Sequence, residues 1–251
     1  LGQNSAPTLR ILNVSKINDP NTALTFEVYS EDQIMWVNLE TTLESFQRVS
    51  FLISFIATLP DGGIDRANSH GEDSNQSRIY KFSNFYPMPC VYDKFDGWNI
   101  DPYLEVGDPF YFDMAYYHLF IEVPNEMVVA ATGKLIETIN DGNYATYHFD
   151  TIYPVREVTF SASKYFKLDS KVINGVNIST YYLPKSQSIW QNYALNYGIN
   201  AFTLYNETFG TYPYPTFNIV EEYTNYGGME YPNQVYITES IDDWDAPQWL
   251  T

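Results

Sequence analysis

The stretch that decides the fold is Gly227-Gly228-Met229-Glu230-Tyr231-Pro232, which follows the proline-rich segment Phe209-Gly210-Thr211-Tyr212-Pro213-Tyr214-Pro215. Taken alone, the first stretch is typical of a glycine-containing turn between two strands, which we predict over residues 216–222 and 234–238. In that interpretation Glu230 is an ordinary solvated carboxylate. Short motifs of this kind also match by chance, so the meaning of this one depends on the sequence around it.

An amphipathic helix is predicted immediately upstream, over residues 186–206. The segment contains no proline, and its large apolar side chains recur every three or four residues, beginning with Trp190, Tyr193 and Tyr197. Ser186 or Ser188 is expected to cap the first turn, and Gly210 lies just beyond the end. Because a helix and strands alternate here, residues 184–251 are predicted to open an α/β domain.

Residues 1–183 carry strand patterns instead. Apolar side chains alternate with other residues over 49–55 and again over 117–123, as expected where one face of a sheet is buried. The turn signals Asn140-Asp141-Gly142-Asn143 and Asn174-Gly175 each separate two such patterns and predict β-hairpins. The polar run 61–78 is expected to be a long surface loop. We therefore predict an all-β domain over residues 1–183.

Composition excludes several classes of protein. The hydrophobic fraction of 45% and the aromatic fraction of 18% indicate a folded, β-rich chain. The 31 acidic and 13 basic residues give a formal charge of -18, so the surface would repel a phosphate backbone, and we predict no nucleic-acid partner. No stretch approaches the roughly 20 apolar residues of a membrane span.

The polar composition also suits an exported protein. Charged residues are only 18% of the chain, so much of its solvation must come from Asn, Ser, Thr and Tyr. Four Asn-x-Ser/Thr sequons begin at Asn13, Asn75, Asn177 and Asn206, and each is a possible N-glycosylation site in a glycosylating export route. We therefore predict a secreted or cell-surface glycoprotein.

Residues 15–240 resemble the gluzincin aminopeptidases of family M1. The stretch 227–232 is a variant of the family's Gly-x-Met-Glu-Asn signature, with Tyr231 in place of the Asn, and the segments 85–93, 107–111 and 128–133 look like the N-terminal domain of its prokaryotic members. In that family a saddle-shaped β-domain precedes a thermolysin-like catalytic domain. The resemblance therefore implies a mainly β N-terminal domain of sandwich or saddle form, followed by the beginning of an α/β catalytic domain.

The same resemblance implies roles for four residues. Glu230 would bind the protonated α-amino group of a peptide substrate, and the backbone of Gly227, Gly228 and Met229 would pair with the substrate's main chain. The chemistry is coherent, because a carboxylate held in a closed pocket binds an ammonium group far better than it binds an internal peptide N–H. Glycines, in turn, let another backbone approach closely.

The zinc chemistry of the family has no counterpart in this sequence. There is no His-Glu-x-x-His, and the three histidines, His70, His118 and His148, are dispersed. By the resemblance, the zinc ligands and the catalytic residues would lie downstream of Thr251. We therefore expect no catalytic residue and no bound zinc in this chain, and a zinc ion only in a full-length protein. The expected partners are a peptide substrate and the remainder of the catalytic domain, in cis or as a separate chain.

A second interpretation belongs to a different class of function. The chain would then be a non-catalytic extracellular surface or assembly protein that uses its β-domain to contact proteins or glycans. Its many Tyr and Trp side chains fit such contacts, although core packing explains most aromatic residues equally well. This interpretation predicts that the reading frame contains no His-Glu-x-x-His beyond Thr251.

Overall fold

A computed structural model describes residues 8–29, 33–62, 66–101, 110–224 and 227–238. The chain forms two compact units. The first unit comprises the described residues of Pro7–Thr58 and Phe85–Asp113, and the second comprises those of Leu59–Asn84 and Met114–Thr251. The predicted boundary between residues 183 and 184 lies inside the second unit and stays a prediction.

Most of the described regular structure is β-strand. In chain order the strands are β1 (Thr8–Lys16), β2 (Asp19–Ala23), β3 (Phe26–Tyr29), β4 (Ile34–Val37), β5 (Phe51–Thr58), β6 (Asn68–His70), β7 (Ile79–Phe82), β8 (Tyr92–Asp93), β9 (Gly97–Trp98), β10 (His118–Pro124), β11 (Val128–Ala131), β12 (Lys134–Asn140), β13 (Tyr144–Asp150), β14 (Phe160–Ser163), β15 (Lys167–Ile173), β16 (Val176–Tyr182), β17 (Thr216–Glu222), β18 (Gly228–Tyr231) and β19 (Gln234–Thr238). The mainly β fold class predicted from the sequence is thus confirmed.

The helical segment lies between β16 and β17. After a 3-10 turn at Pro184–Ser186 come α1 (Gln187–Ile189), a π-helical turn at Trp190–Ala194 and α2 (Leu195–Phe209). The predicted helix is therefore present and extends slightly beyond residue 206. The expected cap by Ser186 or Ser188 is wrong. Ser186 caps no helical N–H and instead donates a hydrogen bond to Glu221 Oε1 at 2.5 Å, and Ser188 lies inside α1.

The first unit contains one three-stranded antiparallel sheet, in the order β2-β1-β5, and the two hairpins β3–β4 and β8–β9. Along β5 the side chains alternate between half-buried and exposed, with Ile53 and Phe55 on the covered face. The alternation of apolar and other residues over 49–55 therefore corresponds to a sheet with one covered face, as predicted.

Both hairpins predicted in the second unit are present. β12 pairs with β13, and β15 pairs with β16, in each case antiparallel. Asn174 and Gly175 connect β15 to β16 with φ angles of 51° and 83°. Two consecutive residues with positive φ form the primed turn that matches the twist of the flanking strands, which is the reason for the Asn-Gly pair.

The expectation of a long surface loop over residues 61–78 is partly wrong. β6 lies within this run and pairs with β7 at the edge of a four-stranded sheet, in the order β11-β14-β7-β6. Asn68 is 1% exposed, and the ring of His70 stacks on Tyr223 with centroids 3.8 Å apart. Pairing with β7 and packing against Tyr223, which is distant in the sequence, bury these polar residues, and composition alone does not indicate either contact.

A mixed five-stranded sheet, in the order β15-β16-β17-β19-β18, is the central layer of the second unit. β16, β17 and β19 run parallel, while β15 and β18 are antiparallel edge strands. One face contributes Ile178 and Ile219 to a cluster with Trp190 and Phe202 of the helical segment. The other face contributes residues such as Val220 and Tyr236 to a cluster that includes Ile79 and Ala130, from the strands of the four-stranded sheet.

The helical segment, the five-stranded sheet and the four-stranded sheet of the second unit are therefore stacked as three layers, and the same unit also contains the three-stranded sheet β10-β13-β12. Among the described residues, no helix combines the length and the apolarity needed to cross a membrane.

Candidate functional site

The sequence motif lies on an edge strand. Within the described residues, β18 pairs only with β19, through a hairpin whose turn is formed by Pro232 and Asn233, the latter with φ of 61°. At the other end of the hairpin, the N–H of Thr238 donates to the carbonyl of Gly227 at 2.8 Å. This hydrogen bond fixes which residues of β18 are bonded to β19 and which are not.

The backbone groups of Gly228 and Glu230 point away from β19. Gly227 and Thr238 form a hydrogen-bonded pair, and hydrogen-bonded and non-bonded pairs alternate along an antiparallel ladder. Gly228 and Glu230 stand opposite Ile237 and Val235 in the non-bonded pairs. Their N–H and C=O groups are therefore presented at the outer edge of the sheet, where an added extended strand would bond.

The side chains of β18 divide between the two faces of the sheet. Glu230 is exposed and shares its face with Val235, whereas Met229 is half-buried on the opposite face. The Met229 sulfur accepts a contact from Arg66 Nη1 at 3.3 Å. The carboxylate is thus solvent-exposed beside the outward backbone groups, as expected of an ordinary solvated carboxylate, and not enclosed in the expected pocket by the described residues. Its neighbour Met229 anchors the strand to the rest of the unit.

Gly228 has a structural requirement that the sequence did not reveal. A Cβ at this position would lie 2.8 Å from the carbonyl oxygen of Tyr236 on the partner strand. The resemblance assigned the glycines to making room for a ligand, but the tight approach at Gly228 already arises inside the hairpin. The absence of a side chain therefore serves the pairing of β18 with β19.

A buried polar layer lies beneath the hairpin. The Tyr236 hydroxyl, which is fully buried, lies 2.6 Å from Thr159 Oγ1 and 3.2 Å from Ser161 Oγ, and it accepts a hydrogen bond from Gln234 Nε2 at 3.1 Å. Burial raises the pKa of the Tyr236 hydroxyl, and the nearby carboxyl of Glu222 raises it further. The layer joins β14 to β19 and holds the hairpin against the four-stranded sheet.

Two adjacent glutamates of β17 are also fully buried. Glu221 faces the helical segment, where Oε2 accepts the backbone N–H of Leu183 at 2.7 Å and Oε1 accepts the Ser186 hydroxyl. Glu222 faces the polar layer, where Oε1 accepts the hydroxyl of Ser161. Burial raises the pKa of Glu222 to about 7, against the opposing effects of Lys81, Ser161 and the Tyr223 amide.

Sequence reasoning missed these two glutamates. It identified residues 216–222 as a strand and gave no role to its last two residues. The available signal was a pair of consecutive carboxylates inside an otherwise apolar strand pattern, Ile219-Val220-Glu221-Glu222. Successive strand residues face opposite sides of a sheet, so at least one of the two must be directed into the protein.

The histidines do not form a metal centre. His118 and His148 lie on the paired strands β10 and β13 with ring centroids 6.4 Å apart, near Asp150 and Glu137 respectively. Within the described ranges, no group of three or more His, Cys, Asp or Glu side chains is arranged to hold a metal ion. The residues that the structure describes therefore do not fit a zinc site.

The four sequons lie in different environments. Asn75 is exposed, whereas Asn13, Asn177 and Asn206 are half-buried. Asn177 Nδ2 donates to Ser179 Oγ at 3.1 Å, and Asn206 Oδ1 accepts the Tyr212 N–H at 2.6 Å. Of the four side chains, Asn75 is thus the most accessible.

Solved M1 zinc metallopeptidases share this fold. The sequence matches no family model and no curated protein. A two-domain M1 zinc metallopeptidase, solved as a point mutant bound to L-arginine, aligns with a TM-score of 0.60 and 11% identity. The M1 zinc metallopeptidase from Deinococcus radiodurans gives 0.61 and 13%, and a point mutant of it gives 0.62 and 12%. Each alignment covers 96% of this chain and 53% of the solved one. The chain thus spans about half the length of these structures and has an M1-like fold, with the β-rich architecture of their N-terminal domain.

Proposed function

We propose that this chain is the N-terminal portion of an extracellular M1-like zinc aminopeptidase, and that β18 binds the free amino end of a peptide substrate. The observation that carries the proposal is the open edge of β18, where the backbone groups of Gly228 and Glu230 point outward beside the Glu230 carboxylate. The similarity of the fold to M1 zinc metallopeptidases supports it.

The proposed binding mode uses both parts of the edge. An extended peptide adds to the open side of β18 and exchanges hydrogen bonds with the backbone of Gly228 and Glu230. The carboxylate of Glu230 accepts hydrogen bonds from the peptide's α-ammonium group, and such charge-assisted bonds are about twice as strong as neutral ones. An internal residue of a peptide has no ammonium group, so the site selects chain ends.

Catalysis would require residues outside the described part of the chain. We propose that the remainder of the catalytic domain, in cis or as a separate chain, supplies the zinc ligands, and that zinc there activates water for attack on the first peptide bond. The chain alone is then a substrate-binding half-site without hydrolytic activity. The exposed sequon at Asn75 supports the proposed extracellular location.

Peptide binding to the chain tests this function directly. A short peptide with a free amine should perturb the NMR signals of Gly228 to Tyr231 at pH 6. Its N-acetylated form should bind about two- to fivefold more weakly, because it loses a charge pair that contributes up to about 1 kcal/mol at an exposed position. Glu230→Gln should remove the preference for the free amine. Glu122→Gln, which changes an exposed carboxylate on β10, should leave it intact.

Equal binding of the two peptides, or an unchanged preference in Glu230→Gln, would overturn the proposal. In a longer protein that contains the zinc ligands, Glu230→Ala should cripple cleavage of amino-acid anilides and leave folding intact. Unaltered turnover in that variant would also count against the role of Glu230.

The exposed aromatics of the first unit favour a second candidate function, contact with proteins or glycans without catalysis. On the β8–β9 hairpin, Tyr92 and Trp98 pair edge to face and are 63% and 49% exposed, and Phe95 at the turn is 83% exposed. Flat exposed rings of this kind stack on ligand surfaces. Translation of the reading frame beyond Thr251 discriminates the two functions, since only the peptidase requires a His-Glu-x-x-His.

A further inference from the structure

Glu222 has a buried carboxyl group in which only one oxygen has a hydrogen-bond partner among the described residues. Its side chain is fully buried, and Oε1 accepts the hydroxyl of Ser161. Oε2 is also buried and has no hydrogen-bond partner among the described residues. A buried carboxylate oxygen without a donor is costly, so this environment favours the neutral, protonated acid.

The charged and titratable groups around Glu222 do not reverse this preference. Lys81 on β7, which is 3% exposed and donates to the Tyr223 carbonyl at 2.9 Å, favours the ionised form, but burial outweighs it. Tyr236 on β19 also interacts electrostatically with Glu222. The Ser161 hydroxyl and the Tyr223 amide, like Lys81, favour the ionised form without overcoming the effect of burial.

Glu221 provides the contrast within the same strand. It is equally buried, but both of its oxygens accept hydrogen bonds, one from the N–H of Leu183 and one from the hydroxyl of Ser186. These donors suit a carboxylate. The two glutamates therefore have the same burial and differ in the second oxygen, which accepts a hydrogen bond in Glu221 and, among the described residues, none in Glu222.

Glu222 is connected to the edge strand through Tyr236. Ser161 donates to Glu222 and lies 3.2 Å from the Tyr236 hydroxyl, so the two side chains share one partner. Tyr236 stands opposite Met229 in the ladder, its ring lies 5.4 Å from that of Tyr231, and its carbonyl is the atom that a side chain at position 228 would strike. Tyr236 thus lies against residues at both ends of β18.

We propose that Glu222 is a positioning residue for the edge strand: as a neutral acid it holds Tyr236, and through it β18, in the geometry that the proposed peptide site needs. Ionisation would place a poorly solvated charge beside Tyr236 and loosen the hairpin. The consequence for peptide binding rests on the proposed function, whereas the effect on the strand does not.

The direction of the pH dependence follows from linkage. The folded-state pKa of Glu222 is about 7, above the ordinary value of 4.5. Between pH 4.5 and pH 7 the folded chain therefore holds a proton that the unfolded chain releases. This contribution to stability is fully present below pH 4.5 and is lost as the pH rises through 7. The unfolding equilibrium constant should therefore rise on the order of a hundredfold across this window.

Denaturant unfolding at pH 5 and pH 8 tests the inference with Glu222→Gln and Glu221→Gln as a matched pair. In Glu222→Gln, whose side chain is neutral at both pH values, the unfolding equilibrium constant should no longer rise about a hundredfold between pH 5 and pH 8. The hydrogen-exchange protection of residues 228–231 in this variant should be equal at the two pH values. Glu221→Gln should keep the rise. The assignment of this pH dependence to Glu222 would be overturned if the unfolding equilibrium constant still rose with pH in Glu222→Gln, or if the rise were lost only in Glu221→Gln.

A measurement on the unaltered chain covers the case in which Glu222→Gln does not fold. Infrared spectra at pH 6 should contain the C=O band of a protonated carboxylic acid that disappears by pH 9, and a spectrum without this band at pH 6 would refute the protonated form.

Peptide binding separates the positioning role from the proposed function. The affinity of the unaltered chain for the free-amine peptide, divided by that of Glu222→Gln, should fall between pH 5 and pH 8 because only the unaltered chain ionises Glu222. Dividing the two affinities cancels the titration of the peptide's own amine, which is common to both proteins. A constant ratio alongside a clear preference for the free amine would reject the positioning role alone. No preference at pH 5 would reject the proposed function and leave the strand effect to be judged by hydrogen exchange.

Discussion

Gly228 should be the least replaceable residue of the edge hairpin. In Gly228→Ala the new methyl group would meet the Tyr236 carbonyl at 2.8 Å, and backbone cannot move aside without disturbing the ladder. We expect a loss of about 1–3 kcal/mol in the free energy of unfolding, measured by urea denaturation.

Gly198→Ala is the informative comparison for that prediction. There the new Cβ would meet Cδ1 of Ile219, the end of a flexible side chain, and alanine is favoured over glycine inside a helix by about 1 kcal/mol. The loss should be smaller than in Gly228→Ala. The reverse order would mean that the hairpin relaxes and that Gly228 has no packing role.

At the residue scale, the sequence pointed to Glu230 and was silent about Glu222. Glu230 lies in a recognisable motif, and an exposed position is the ordinary expectation for a glutamate. Glu222 is buried because two sheets, formed by segments about 60 residues apart in the chain, close over it through Ser161 and Tyr236. No local pattern encodes that closure, so its protonation state follows only from the assembled layers.

The Tyr236 hydroxyl should stabilise the contact between β19 and β14, because it lies within hydrogen-bond distance of residues on both sides. Tyr236→Phe removes a hydroxyl that contacts Gln234, Thr159 and Ser161, and it leaves the buried amide of Gln234 without its acceptor. We expect a loss of about 1–3 kcal/mol by chemical denaturation. Tyr205→Phe, at a 54% exposed position of α2, should change stability by no more than about 0.5 kcal/mol. Equal effects of the two variants would contradict this role of the layer.

At the scale of elements, patterns within a short stretch of sequence predicted the turns, strands and helices whose formation depends mainly on neighbouring residues. The Asn174-Gly175 turn, the alternation along β10 and the periodicity of the helical segment each predicted an element that the structure contains. The run 61–78 failed as a loop because β6 is held by its pairing with β7 and by the packing of His70 on Tyr223. The start of the helix failed in detail because Ser186 bonds to Glu221, a residue of a distant strand.

For the whole molecule, the dominant property is the charge of -18. The ion pairs of the described residues are few, and several, such as Arg78–Asp61 and Lys164–Asp73, involve exposed carboxylates. Exposed pairs of this kind contribute little to stability. Repulsion among the unpaired carboxylates therefore outweighs attraction at neutral pH, and it grows in dilute salt, where the Debye length is about 30 Å rather than about 8 Å at physiological ionic strength.

Added salt should therefore stabilise the whole chain at neutral pH. Raising NaCl from about 10 to 150 mM screens the repulsion, so we expect the midpoint of thermal unfolding at pH 7 to increase. Near the isoelectric point, about 4.3 from the sequence, the net charge vanishes and the same addition should have little effect. Differential scanning calorimetry at the two pH values measures both responses. A decrease of the midpoint with salt at pH 7 would mean that attractive pairs dominate the electrostatics, contrary to the imbalance of 31 acidic over 13 basic residues.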